Sequence, residues 1–373
     1  MSVRTASARD PARSRAIGRK VVVHFRKHSR SFAFRETRDP YAIWVCEVMA
    51  QQTRIAKVLP YWQRWLARFP TPRALADAGP DDVLSLWSGL GYYARARSLH
   101  RAAHEVVAKY NGRVPDDLDA LLSLPGVGPY TAGAIASIAF GRPTPAVDGN
   151  VARVLARVFA ISDDLRAPAT TRLLWQLAAD ALPKRAPGEF NQGLMDIGAT
   201  ICTPNTPSCP ACPLAHDCRA HQDGREHELP VRHKRAATPR VDIDVVWIER
   251  GGRCLLVRRR PDGLFGGLWE LPSTDLFAEG KALVRVRRRA LAAHTQQLSH
   301  RTLHYRVFAG TMTGRALAVR PTDTPHDAAR FFARDELASV GMSAAMTALL
   351  ARLPRPAPPP ARRKIHAHQS SLR

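Results

Sequence analysis

The chain has 373 residues, with 56 lysines and arginines against 32 aspartates and glutamates, a formal net charge of +24. That length holds two cored domains, and the charge exceeds what solubility needs, so a polyanionic partner is implied, nucleic acid first. No apolar run reaches membrane-spanning length and the N-terminus lacks the apolar stretch of a secretory signal, so the expectation is a cytoplasmic, nucleoid-associated monomer.

Residues 1–19, MSVRTASARDPARSRAIGR, read as a basic disordered arm. From Lys20 to Arg219 the pattern is helical, with periodic apolar residues broken by Pro, Gly and Asp. Asp39-Pro40 is a clean helix start, Asp as N-cap and Pro at the first helical position. The helix that follows carries Glu47 one turn after Ile43 and Trp44 and one turn before Gln51. Val45, Cys46, Val48 and Met49 leave it no polar face to join. A carboxyl so placed has a raised pKa and keeps its proton near neutrality, as a general acid must. Further helical units are expected around Asp81–Ser88, Ala94–Tyr110, Leu118–Leu122, Thr131–Phe140, Asn150–Phe159 and Arg172–Ala181.

LPGVGPYTAGAIAS (Leu124–Ser137) is a helix, a tight turn and a second helix. Gly126 and Gly128 let the turn aim amide N–H groups outward, which suits a phosphate but reads no base. A Gly/Pro loop then delivers a second carboxylate, Asp148, just before a helix, where it can act as N-cap or in chemistry. Cys202, Cys209, Cys212 and Cys218 follow in a C-x6-C-x2-C-x5-C run. Four thiolates this close can hold one small metal centre. Zinc and free thiols are the alternatives, and a [4Fe–4S] cluster is favoured because four-cysteine ligation is its usual form and the wide first gap wraps a cubane. Cys46 and Cys254 lie in apolar sequence and read as core residues.

Residues 220–240 are polar and basic and read as a linker, and residues 241–353 as a mixed domain. VDIDVVWIER, Gly251-Gly252 and RCLLVRRR form an expected β-hairpin. TLHYRVFAG and RALAVR suggest a second strand pair, and Ser343–Leu353 a closing helix with Leu349, Leu350 and Leu353 inward. Residues 354–373 form a Pro-rich basic tail.

A helix-hairpin-helix, a Gly/Pro loop, an aspartate and then the cysteine loop together resemble the helix-hairpin-helix–GPD superfamily of base-excision DNA glycosylases, in its endonuclease III and MutY branch. Members that also cleave the strand carry a lysine two residues after the second hairpin glycine, where this chain has Tyr130. A phenol cannot form the imine, so a monofunctional glycosylase is implied. WVCEVMAQQTRI and LWSGLGYYARARSLH are similar to the MutY adenine DNA glycosylases, which remove adenine mispaired with 8-oxoguanine or guanine. The resemblance covers residues 30–220 densely and the β-rich part more loosely.

It implies Glu47 as the acid that protonates the departing adenine, Asp148 as the carboxylate that steadies the sugar cation, Tyr130 as a neighbour of both, and Asn150 as a partner orienting water or Asp148. Arg35 would touch substrate or a phosphate, and Gln52, Thr53, Leu90 and Tyr92 the lesion side. Arg95 and Arg97 read as phosphate contacts or solvated charges. GLFGGLWELP resembles the MutT-like (Nudix-fold) domain appended to MutY. The stretch expected to carry metal-binding carboxylates, LVRVRRRALAAHTQQL, carries none, so a lesion reader without hydrolase activity is implied, with Ser299 and His300 inspecting 8-oxoguanine. Phe34 stands where the family has tryptophan and Leu298 where it has phenylalanine.

The expected architecture is therefore multidomain: an all-α helix-hairpin-helix glycosylase domain with an iron–sulfur loop, then an α+β Nudix-like domain. The expected partner is double-stranded DNA containing A:8-oxoguanine or A:G mispairs. An endonuclease III-like pyrimidine glycosylase with lyase activity, a non-catalytic iron–sulfur DNA-binding protein and a zinc-based adaptor are the competing readings.

Overall fold

The computed structural model describes residues 10–231, 237–277, 284–312 and 325–353. Residues 1–9 of the expected arm, the RALAVR strand and the Pro-rich tail lie outside the described residues. The chain divides into two units, Met1–Ala78 with Arg95–Ala236, and Gly79–Ala94 with Ala237–Arg373.

The first unit is helical among its described residues: α1 (Pro11–His28), α2 (Pro40–Ala50), α3 (Ile55–Arg68) and α4 (Pro72–Ala76) precede the excursion into the second unit, which carries α5 (Pro80–Trp87). On return come α6 (Ala94–Tyr110), α7 (Leu118–Ser123), α8 (Pro129–Ile138), α9 (Gly149–Val158), α10 (Pro168–Ala181), α11 (Pro187–Asp196) and α12 (Arg219–Gln222). Proline opens α1, α2, α4, α5, α8, α10 and α11, where its missing N–H costs nothing.

The expected arm at residues 1–19 is corrected from Asp10 onward. Asp10 caps α1 by accepting from the amides of Ala12 (2.9 Å) and Arg13 (3.2 Å), and Ile17, Val21 and Val22 are buried. The arginine-rich composition hid an Asp-Pro start of the same kind as Asp39-Pro40. Those apolar residues join Leu174, Leu177, Phe190 and Leu194 in one core, which also seats Leu214 of the cysteine loop.

In the second unit β1 (Arg240–Arg250) turns through Gly251 and Gly252, both with positive φ, into β2 (Arg253–Arg259), as expected of the hairpin. Then come β3 (Trp269–Glu270), β4 (Val284–Gln297), β5 (Thr302–Met312), β6 (His326–Ala333) and α13 (Ala344–Arg352). β1 and β2 pair only near their turn and then diverge. β2 runs on between β6 and β3, whereas β1 pairs in parallel with β5, which pairs antiparallel with β4. TLHYRVFAG is thus a strand as expected, but its described partners are β1 and β4. Leu349, Leu350 and Leu353 are buried, and Ser343 caps α13 through the Met346 amide.

Gly79–Ala94 groups with this second unit, and Leu84 lies against Gly267 and Gly341. Val83, Leu84 and Trp87 are buried, the Ser88 hydroxyl and the Tyr93 hydroxyl both donate to the Met342 carbonyl (2.9 and 2.7 Å), and the Trp269 indole donates to Asp81 (3.4 Å). Among the described residues no helix is long and apolar enough to cross a membrane.

Candidate active site

Asp39 starts α2 by accepting from the Tyr41 and Ala42 amides, and every residue from Tyr41 to Met49 is buried. Glu47 is only 8% exposed within that apolar wall. Burial pushes its carboxyl up to about 7, aided by the nearby charge of Asp148, while the Tyr130 hydrogen bond and the Arg35 guanidinium pull the other way. The Tyr130 hydroxyl donates to Glu47 Oε2 at 2.6 Å. Burial, and then the Glu47 charge, raises the phenol far above its ordinary value, so it stays a donor. The hydroxyl also reaches Met195 Sδ at 3.6 Å, and Glu47 Oε1 is left without this partner.

Asp148 is the N-cap of α9. Its Oδ1 accepts from the Val151 amide (2.7 Å), and its Oδ2 accepts from Asn150 Nδ2 (2.9 Å). The loop that delivers it is pinned by the buried Asn191 of α11, which accepts from the Ala146 amide (3.1 Å) and donates to the Thr144 carbonyl (2.9 Å) and the Ser137 hydroxyl (2.8 Å). Asn150 Oδ1 accepts from Arg153 (2.8 Å), and the same guanidinium reaches the carbonyls of Gly198 (2.7 Å) and Cys202 (2.8 Å). A Cβ on residue 198 would meet the Asn150 Cβ at 2.7 Å, so Gly198 is what lets that turn approach.

Glu47, Tyr130, Asp148 and Asn150 line one cavity of about 1180 Å³, and Arg35, Gln52, Thr53, Gly126 and Gly128 line it too. Gly126 has φ +78°, and a Cβ there would meet the Ser98 side chain at 2.6 Å, so the hairpin turn needs glycine on two counts. Gly128 is the N-cap of α8 and lines the same opening with the first residues of that helix. The cavity has room for an extruded nucleotide, an acid at its apolar wall and a carboxylate beside it.

Asp196, Arg30, Phe25 and Phe32, which surround Arg35, escaped the sequence reading. Arg35 pairs with Asp196 (2.8 Å), which also accepts from Arg30 (2.9 Å). Burial alone would raise the Asp196 carboxyl, but these hydrogen bonds hold it below its ordinary value. Arg35 also lies over the Phe25, Phe32 and Phe34 rings, and Phe32 stacks on Phe34. Phe34, in the place expected for tryptophan, lines the cavity. Arg95 is corrected: its guanidinium donates to the carbonyls of Val48, Met49 and Gln51 at 2.6–2.9 Å, closing the end of α2. Leu90 and Tyr92 belong to the second unit, Leu90 buried, Tyr92 exposed with φ +53°. Ser299 and His300 lie exposed in the β4–β5 turn.

Cys202, Cys209, Cys212 and Cys218 all line one small pocket, with Val154, Val158 and Leu214 among its apolar walls. α11 reaches it through a π-helical turn, Ile197–Ile201, that ends at Cys202. The buried Arg157 donates to Cys202 Sγ (3.2 Å) and to the Thr203 carbonyl (2.8 Å). Burial raises the thiols of Cys209, Cys212 (to about 11) and Cys218, so without a cation the pocket would hold them protonated. A donor set of four soft sulfurs with an N–H pointing at one of them fits a thiolate-ligated metal centre.

Residues 45–180 match the HhH-GPD superfamily base excision DNA repair protein family, and residues 244–352 the NUDIX domain. The chain is 37% identical over 368 residues to the adenine DNA glycosylase of Rattus norvegicus, covering 83% of this chain and 70% of that protein. It is 36% identical over 370 residues to the adenine DNA glycosylase of Homo sapiens, covering 83% and 67%. Among solved structures, a non-covalent endonuclease III–DNA complex aligns with a TM-score of 0.50 at 26% identity, covering 58% of this chain and 98% of that one. A thermostable thymine-DNA glycosylase aligns at 0.52 and 28% identity, covering 57% and 98%.

Proposed function

The chain belongs to the family of adenine DNA glycosylases of base excision repair, and on that premise we propose that it hydrolyses the N-glycosidic bond of adenine mispaired with 8-oxoguanine or guanine in duplex DNA. The observation that carries this reading is the convergence of a buried, protonatable Glu47 and a hydrogen-bonded Asp148 on one cavity. Glu47 Oε1 gives its proton to a purine ring nitrogen, and the C1′–N bond breaks with its electron pair going to the base. Asp148 faces the resulting oxocarbenium sugar, as charge stabiliser or transient nucleophile. Water adds to C1′ and returns a proton to the Glu47 carboxylate, leaving adenine and an abasic site. Tyr130 holds Glu47 Oε2, and Asn150 orients Asp148.

Arg35, Gln52, Thr53, Leu90 and Tyr92 are assigned to substrate and lesion contacts, Gly126 and Gly128 to backbone phosphate, and Ser299 and His300 to the base opposite adenine. Tyr130 offers no amine, which favours hydrolysis without strand cleavage. The four cysteines would hold a [4Fe–4S] cluster that supplies a structural and DNA-positioning centre. Purified protein is expected to be brown and to contain iron and inorganic sulfide in equal amounts; stoichiometric zinc instead overturns that assignment.

Single-turnover assays on duplexes with adenine opposite 8-oxoguanine, adenine opposite guanine, and a thymine-glycol control test the whole reading. Adenine release from the first two, with no strand break and no action on the control, is expected. Release from thymine glycol alone would return the pyrimidine-glycosylase alternative.

A further inference from the structure

β4 is a terminal strand of its sheet, and among the described residues no strand pairs with its outer edge. Its first half breaks the alternation a strand should keep. Val284 and Val286 pack on the small cluster of Val246, Ile248 and Leu255, while Arg285 and Arg287 are exposed. Strict alternation would send Arg288 inward behind Val286. Instead the register slips: Val286 lies opposite Gly310, Ala290 opposite Phe308 and Ala292 opposite Val307, so β4 spends six residues where β5 spends three. The bulge leaves Arg287, Arg288 and Arg289 all exposed, and normal burial resumes at Ala292. Arg285, Arg287, Arg288 and Arg289 make no ion pair with any described residue, and no carboxylate occurs between Leu283 and Leu298.

We propose that this arginine bulge is a second DNA contact within the C-terminal unit, a clamp on the phosphate backbone of the duplex. Four guanidiniums within five residues, held on a bulged edge without counter-charges among the described residues, form a dense cationic patch that suits phosphate oxygens and offers no shape for reading bases. Along β4 the bulge lies about 30 Å from the Ser299–His300 turn, close to one turn of B-DNA. The clamp and the lesion-facing loop can thus engage one duplex about one turn apart. The inference rests on the chain acting on duplex DNA and adds a surface that the base-release chemistry does not require. Edge strands also carry charge merely to block edge-to-edge pairing, and the experiment separates the two roles.

The full chain is compared with Arg287→Ser/Arg288→Ser/Arg289→Ser and with the corresponding triple lysine variant. The readouts are the salt dependence of duplex affinity, single-turnover adenine release at saturating enzyme, and oligomeric state. Three lost phosphate contacts should lower the salt slope by about 2.7, so that between 50 and 200 mM salt the wild type loses roughly 40-fold more affinity than the serine variant. Saturated release should be unchanged, and the lysine variant should keep most of the slope. An unchanged slope in a folded serine variant overturns the proposal. So does a serine variant that merely self-associates with its slope intact, which marks an edge guard. If the serine variant fails to fold, the lysine variant and Arg288→Ser alone are read on the same slope, about one unit per contact.

Discussion

Glu47→Gln is expected to bind a duplex carrying mispaired adenine as tightly as the parent chain and to release adenine on the order of 10³-fold more slowly in a single turnover. Glutamine keeps the size of the side chain and a carbonyl oxygen that can accept from the Tyr130 hydroxyl, so the cavity is preserved. What it lacks is a transferable proton. Adenine release at the parental rate by this variant would sink the assignment. The parent should also show the titration directly: with the carboxyl raised to about 7, the protonated fraction and the rate fall as pH rises through that value, tenfold per unit well above it.

The same shift sets a stability cost whose sign is opposite to that of an ordinary paired carboxylate. The folded-state value lies above the ordinary 4.5, so the folded chain binds the extra proton between those two values. Stability is unaffected below the lower value, declines through the interval, and above about pH 7 is reduced by on the order of 3 kcal/mol. Glu47→Gln buries no charge at any pH. It should therefore resist denaturant better than the parent at pH 8 and about equally at pH 4. An inactive variant that gains stability in this pH-dependent way cannot be dismissed as misfolded.

Asp148→Asn should lose turnover by a comparable factor while keeping its fold. Asparagine caps helices about as well as aspartate, so the bond from the Val151 amide survives. A purely capping Asp148 predicts near-parental rates. The catalytic reading predicts the loss of a negative charge beside a cationic sugar, about 4 kcal/mol at 4 Å in a partly screened site, hence on the order of 10³-fold. A rate within a few fold of the parent, at an unchanged melting temperature, would return Asp148 to its capping role alone.

The parts legible in the sequence were those encoded locally. Asp39-Pro40 announced α2 and its register, and Glu47 stood out because its helical neighbours offered it no polar company. Cysteine spacing and the Gly-rich hairpin turn were equally visible, since both are demands of a short loop. The shortfalls came where charge or distance disguised the role. Asp196 reads as an ordinary surface carboxylate until Arg35 and Arg30, more than 160 residues earlier, close on it. Arg95 looks solvated until α6 brings it to the end of α2. β4 looked like an undifferentiated cationic stretch because its bulge scrambles the two-residue period.

The assignment of Gly79–Ala94 to the β-rich unit has a practical edge for anyone dissecting the chain. Cutting in the basic stretch near residue 236 looks like a clean separation, yet it would orphan sixteen residues of the amino-terminal fragment. Leu84 would lose its contacts with Gly267 and Gly341, and the Ser88 and Tyr93 hydroxyls would lose the carbonyl they share. A truncated fragment would thus carry a sticky wound within its own sequence, and weak activity from it would report that injury as much as the loss of the β-rich unit.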